Sequence, residues 1–390
     1  MLVVYTVPVQ RGGQTNMFKL AKVAIFAATV VILAGPAFAD IKAYNEAVKA
    51  GDYKAAAAEA ASIWATFDKT SPDTAAVARE FGFSSYVAGD FSAAHNYGKF
   101  LKDNGGTLPK PDDQPAVSSV LLAAADYRLN PKSGRDNLLD ALNARTKLPG
   151  LDNITLLAAE ALYHGDWNDA AWQQAARSAD LAASLFDRGG ASLRPRYYHA
   201  QVTAAAAQFL ASPSQRDYDA MAEVHDAIVG DINGAKEQQT REALGREMYQ
   251  ARTWLTAMHT FIHSFSNQTG SLISHEVKER RLESPKRAIF QGMQDRRPLC
   301  EGRLDLGNFN YPSSALFRGI PGAVTLRLAL DDSGAVTNAE VLGSVPSEIF
   351  ADALVNSTSK FRWRAKEGQN LKACRVQREN FIFMVEFLVG

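Results

Sequence analysis

The 390-residue chain has only two cysteines, no excess of either charge, and no unbroken apolar run near the roughly 20 residues that a membrane-crossing helix needs. Each lack removes a class of protein. Two thiols can build neither a cysteine-rich zinc site nor a dense disulfide scaffold. With 42 Lys and Arg against 42 Asp and Glu, the chain has none of the basic excess of a nucleic-acid binder. No Walker loop, Gly-x-Ser-x-Gly elbow or strand-linked Gly-x-Gly-x-x-Gly occurs, so no nucleophile and base can be named and no cofactor is expected. His259 and His263 have the i, i+4 spacing of metal ligands on one helix face. They lack the glutamate of His-Glu-x-x-His, and Met258, Phe261, Ile262 and Phe265 surround them, so a metal-dependent hydrolase is only a remote alternative. What remains is a non-enzymatic globular protein, long enough for two or three domains at about 150 residues each.

An export signal follows Met17. Lys19 and Lys22 precede an apolar run from Val23 to about Ala34, then Gly35-Pro36 and the small-residue triplet Ala37-Phe38-Ala39. This is the three-part layout of a cleavable signal, with an apolar run too short for a comfortable span. We expect Met17 as the start and cleavage after Ala39, and residues 1–39 are set aside from the fold. An uncleaved inner-membrane anchor is the rival reading. Export to an oxidising compartment changes the meaning of Cys300 and Cys374, because there a pair persists as a disulfide. The Cys-x-x-Cys of a redox site is missing, which favours a structural bridge. A closed loop of about 70 residues would contribute up to roughly 4 kcal/mol in the chain-entropy account.

The first half repeats. Gly51-Asp52-Tyr53, Gly89-Asp90-Phe91 and Gly165-Asp166-Trp167 lie 38 and 76 residues apart, and alanine follows each aromatic by three positions (Ala56, Ala94, Ala170). Asp126-Tyr127-Arg128 fills the gap as a degenerate copy, followed by Leu138, Leu139, Ala141 and Leu142. Such a unit reads as a helical hairpin, with a Gly-Asp turn, a wedged aromatic and a small residue at close backbone approach. It resembles a tetratricopeptide repeat, lengthened beyond the usual 34 residues. Helical patterning continues to about 265, which gives an α-solenoid over 40–265. The aromatics and alanines then serve hairpin packing, and the groove of such a stack has no ligand identified by sequence.

From 266 to 299 the chain loses its alanines and becomes charged, which reads as a linker and hinge. Beyond Cys300 the period changes. Val324, Leu326, Leu328 and Leu330 alternate with Thr325, Arg327 and Ala329, Asp331-Asp332-Ser333-Gly334 supplies a turn, and AVTNAEVL returns as the second hairpin arm. A helix over Ser347–Phe361 places Phe350, Leu354 and Phe361 on one face. The closing FIFMVEFLV is apolar on both faces except at Glu386, as a strand with a helix on one side and another partner on the other would be.

Tyr311-Pro312-x-x-Ala315, Gly322-x-Val324, Asp332-x-Gly334-x-Val336 and Phe361-Arg362-Trp363 occur in that order before the terminal strand. In this the stretch 305–390 resembles the C-terminal domain of TonB-type energy transducers. The resemblance implies a small α+β domain with a three-stranded antiparallel sheet over 300–390, which with the repeats gives a multidomain chain, an all-α solenoid followed by that domain. It also implies a periplasmic location and capture of a short peptide from an outer-membrane transporter at an exposed sheet edge. The final strand would supply that edge, with Arg378, Phe381, Phe383 and Val385 as contacts. The chain departs from the archetype in three ways: its hydrophobic segment looks cleavable, that segment contains no histidine, and helical repeats stand where a Pro/Lys-rich spacer would be. These features favour a soluble interaction module, with a membrane-anchored transducer as the alternative.

Overall fold

The structure is a computed structural model and describes residues 38–269, 279–290, 301–307, 311–317, 320–331, 333–369 and 381–387. Most of the segment expected to be an export signal, both cysteines and Arg378 lie outside these residues. Every described strand begins at Gly302 or later, so the switch from helical to alternating periodicity is a switch of fold class. The described chain falls into two compact units that divide between Leu193 and Arg194.

The first unit is a run of helical hairpins. Helices α1 (Phe38–Ala50) and α2 (Tyr53–Thr66), then α3 (Thr74–Ala88) and α4 (Phe91–Asn104), turn at the predicted Gly-Asp pairs. Gly51 and Gly89 have φ of 73° and 85°, a left-handed conformation that favours glycine. Asp52 and Asp90 then cap the next helix, accepting from the backbone N–H of Ala55 and Ala93. Ala56 and Ala94 are fully buried. The pairs α5 (Pro115–Leu129) with α6 (Pro131–Thr146), and α7 (Asn153–Asn168) with α8 (Trp172–Asp187), complete the unit.

In the later copies the turn moves. Gly165-Asp166-Trp167 lies inside α7, and the chain reverses at Asp169–Ala171, where Ala170 takes φ of 54°. Asp166 is not a cap here. It is buried, accepts Nε and an NH2 group of Arg135 (2.7 and 2.9 Å) and the Ser178 hydroxyl (2.7 Å), and so locks α6, α7 and α8 together. Gly165 is small because the Tyr127 hydroxyl occupies the space of its missing Cβ. Asp126-Tyr127-Arg128 likewise sits within α5, and Asn130-Pro131 makes the turn.

The second unit opens with α9 (Arg194–Ala211), α10 (Gln215–Gly234) and the long α11 (Gln238–Thr269). The β elements follow: β1 (Gly302–Asp305), the short α12 (Ser313–Leu316), β2 (Gly322–Leu330), β3 (Val336–Val345), α13 (Ile349–Val355), β4 (Arg362–Ala365) and β5 (Phe381–Phe387). The main sheet has the order β3-β2-β5, all antiparallel, and β1 pairs with β4 in a second, two-stranded sheet. Gly334 (φ 79°) and the Asp331 carboxylate, which accepts from Ser333 N–H and Ala335 N–H, close the β2–β3 turn.

Helix α13 is shorter than the Ser347–Phe361 expected. Past Val355 come Asn356, Ser357 and Thr358, and the hydroxyls of Ser357 and Thr358 turn back to the carbonyls of Ala353 and Val355. A 3-10 turn, Thr358–Lys360, replaces the last helical turn, yet Phe350, Leu354 and Phe361 all reach the core fully buried.

The segment 279–290, expected as part of a hinge, is fastened along α10 and α11. Asp226 accepts from Arg280 and from Glu283 N–H, Gln238 donates to the Ile289 carbonyl, and Arg241 donates to that of Ala288. Ile289 and Phe290 are buried, with Phe290 stacked on Tyr249 at 6.1 Å.

Candidate partner-binding edge

Strand pairing defines two faces for the main sheet. Val324 lies opposite Val385 and Leu326 opposite Phe383, and these four join Phe350, Leu354, Phe361 and Phe387 in one core beneath α13. Burying one such side chain is worth about 1.5–3 kcal/mol, so this face holds the domain together. Further along, Leu328 and Leu330 pack with Leu304 and Trp363 of the small sheet.

The opposite face is covered by α11. Thr253 on that helix donates to its own Tyr249 carbonyl (2.7 Å) and shares a hydrogen bond with Thr325 of β2. Arg246 reaches Glu340 of β3 with Nε and an NH2 group (3.1 and 2.7 Å), and Arg327 of β2 pairs with the same carboxylate. The Arg327 guanidinium also lies 4.2 Å from the Phe290 ring, which ties segment 279–290 to the sheet. The β2–β3 register skips Leu342, and Gly343 stands against Gln250 and Thr253 with no room for a Cβ. Burial raises the phenol of Tyr249 on this helix to about 12.

Both faces are therefore occupied, and what the sheet offers is its edges. β5 pairs with β2 through Gly322↔Phe387 to Leu328↔Phe381 and stands at the end of the strand order, opposite β3. A strand edge presents N–H and C=O groups that an extended peptide can satisfy.

Residues 307–383 match the family described as Gram-negative bacterial TonB protein C-terminal. The match covers the small TonB-like domain, well under half of the chain, and the helical hairpins lie outside it. No curated protein and no solved structure matches the chain. Domains of the TonB C-terminal family are non-enzymatic, envelope-associated interaction and energy-transduction domains, and the matched segment has the three-stranded sheet that the resemblance implied.

The nominated contacts divide on inspection. Phe383 and Val385 lie on β5, but their side chains point into the core under α13 (8% and 0% exposed), so any contact they make with a partner is through the backbone. Phe381 begins β5 opposite Leu328, its side chain lying outside the described set, and Arg378 lies wholly outside it. Cys300 and Cys374 also lie outside, although their flanks meet: Glu301 N–H donates to Gln369 Oε1 and Lys366 N–H to the Glu301 carbonyl, both at 2.8 Å. The His263 side chain is likewise not described, and among the described residues no group of three His, Cys, Asp or Glu is placed to hold a metal. No described helix is long and apolar enough to cross a membrane.

Sequence reading missed α11 as the second cover of the sheet. Its signal was present: Met248, Tyr249, Ala251, Thr253, Trp254, Leu255 and Met258 are all buried, a spread too wide for one helix face. A helix apolar on more than one side is one packed on more than one side.

Proposed function

We propose that the protein is an exported, periplasmic protein–protein interaction module whose TonB-like domain captures an extended peptide along the outer edge of β5. The TonB C-terminal match over 307–383, on a sheet whose two faces are covered and whose last strand stands at the end of the strand order, carries this reading. Recognition there would be by main-chain hydrogen bonds, with the partner a segment of an outer-membrane receptor or another cell-envelope protein. No catalytic step and no cofactor enter. The α-hairpin unit is a second binding platform or a spacer in this scheme.

Neighbouring residues of a strand send their N–H groups to opposite sides. Of Val385 and Glu386, one amide therefore points to β2 and the other to the outer side of the strand. Proline at the outward position should abolish peptide capture and leave the fold, while proline at the inward one breaks the ladder and destabilises the domain. Undiminished capture by both folded variants would exclude this edge.

The competing reading is a membrane-anchored TonB-type transducer, favoured by the apolar run Val23–Ala34 ahead of a TonB-like domain. Sequencing the N-terminus of the protein recovered from cells decides between them: a start at Asp40 supports the released module, and a retained hydrophobic segment supports the transducer.

A further inference from the structure

Segment 279–290 is held as a bound peptide would be. It forms neither helix nor strand, and its backbone is taken up by side chains of α10 and α11. Asp226 accepts from Glu283 N–H at 3.0 Å and Asn233 Oδ1 from Lys286 N–H at 2.8 Å, while Arg241 and Gln238 donate to the carbonyls of Ala288 (3.2 Å) and Ile289 (2.8 Å). Donors and acceptors on two helices are thus matched to the main chain of one irregular stretch. Such bonds do not read sequence, so identity must come from the side chains of the segment.

Two of those side chains fill a prepared seat. Ile289 and Phe290 are 3% and 1% exposed. Ile289 lies where α11 carries a glycine, and the Cβ that Gly245 lacks would collide with Ile289 Cγ2. Phe290 stacks on Tyr249, with the Arg327 guanidinium against its ring. Charge is matched ahead of these anchors. Arg280 reaches Asp226 at 3.1 Å, and Arg287 donates to the Ala235 carbonyl (3.2 Å) at the C-terminal end of α10, where the helix dipole favours a cation. Within 279–287 every residue except Leu282 and Pro285 is exposed. Two buried side chains must therefore offset most of the ordering of the whole segment, and a segment so held opens well before the helices beneath it.

We propose that the α10–α11 groove is a peptide-binding site in which 279–290 acts as a built-in, displaceable competitor. Its partner is a non-helical segment of another protein, with basic residues ahead of two adjacent large apolar ones. This site is separate from the edge of β5 and does not depend on capture there.

The test titrates a fluorescein-labelled synthetic peptide of residues 279–290 into the full chain and into I289S/F290S, whose own segment has lost both anchors; circular dichroism checks the fold. The variant is expected to bind the peptide saturably, and wild type about tenfold or more weakly, because a tethered competitor acts at an effective concentration on the order of millimolar. The same peptide with serine at both anchors should not bind, and G245A added to the variant should weaken capture about tenfold or more by filling the seat of Ile289. No binding to the folded variant, equal binding to wild type and variant, binding of the serine peptide, or indifference to G245A would each overturn the proposal. If I289S/F290S does not fold, wild type decides. Unlabelled peptide in millimolar excess should then speed hydrogen exchange within 279–290 while α10 and α11 keep their protection, and exchange unmoved by the peptide overturns the proposal. A wild-type dimer in sedimentation that the peptide splits into monomers would make the occupant a second copy of this chain, and the proposed partner fails.

Discussion

Replacing Gly343 by alanine tests whether close approach holds the sheet on α11. A Cβ there would stand 2.6 Å from Thr253 Oγ1, 2.8 Å from Gln250 Oε1 and 3.1 Å from Thr253 Cβ. The end of Gln250 can swing away. Thr253 has less freedom, because its hydroxyl is bonded to both the Tyr249 carbonyl and Thr325. Overpacking of this kind costs about 1–3 kcal/mol, and valine should cost more than alanine. Native-state hydrogen exchange followed by mass spectrometry reads the effect where it arises: at 1.4 kcal/mol per tenfold, amides of β2 and β3 should exchange roughly 5- to 150-fold faster. The decisive arm is Thr253→Ala. Alone it loses the Thr325 bond, at about 1 kcal/mol. It also opens the space an added methyl would need, so G343A should cost less on the T253A background than on wild type, by about 0.5 kcal/mol or more. Strict additivity of the two changes, or G343A without effect on β2 and β3 exchange, would refute the close-packed account of this layer.

Two further outcomes follow from the chemistry of the second unit. Protein recovered from the periplasm and mapped by mass spectrometry without reductant should contain a Cys300–Cys374 linked peptide. Gln369 lies against Glu301, and the five residues on to Cys374 can reach about 17 Å. C300S should then lower stability by up to about 4 kcal/mol, and two free thiols in exported protein would end the claim. The buried His225 has its basicity lowered by desolvation and by Arg252, against the opposing pull of Asp226. Its folded pKa lies below the unfolded value near 6.5, so the unfolded chain takes up the proton first. Its contribution is complete above that value and is lost as pH falls beneath it. Urea midpoints at pH 7.5 and 5 should therefore converge in H225N relative to wild type, and an unchanged pH difference would remove His225 as the cause.

The parts of the fold legible in the sequence are those written in local chemistry. Period-two alternation over Val324–Leu330 and the Asp331–Gly334 turn specify a hairpin from about twenty consecutive residues. Gly51 and Gly89 specify helix ends because glycine best suits their backbone angles, and the aspartate that follows each is a strong cap. The same tripeptide misled at Gly165-Asp166-Trp167, for a physical reason. An aspartate can cap a helix or neutralise an arginine, and Arg135 arrives from α6, 31 residues away in sequence. Strands β1 and β4 were missed because four residues are too few for alternation to show, and each is defined by a partner some 60 positions distant.

The site divides along the same line. That β5 would be covered on both faces was legible from its composition, since a strand apolar on both sides must lie between two layers. Which layers was not, because the α11 contact depends on Thr253 meeting Thr325 and on Arg246 meeting Glu340, 94 residues apart. This matters for function. With α13 on one face and α11 on the other, neither face of the sheet is free to take a partner, which is why the proposed capture is strand-like. The nominated side chains Phe383 and Val385 face inward, so on the proposed reading they hold the strand in place and do not themselves touch a partner's side chains.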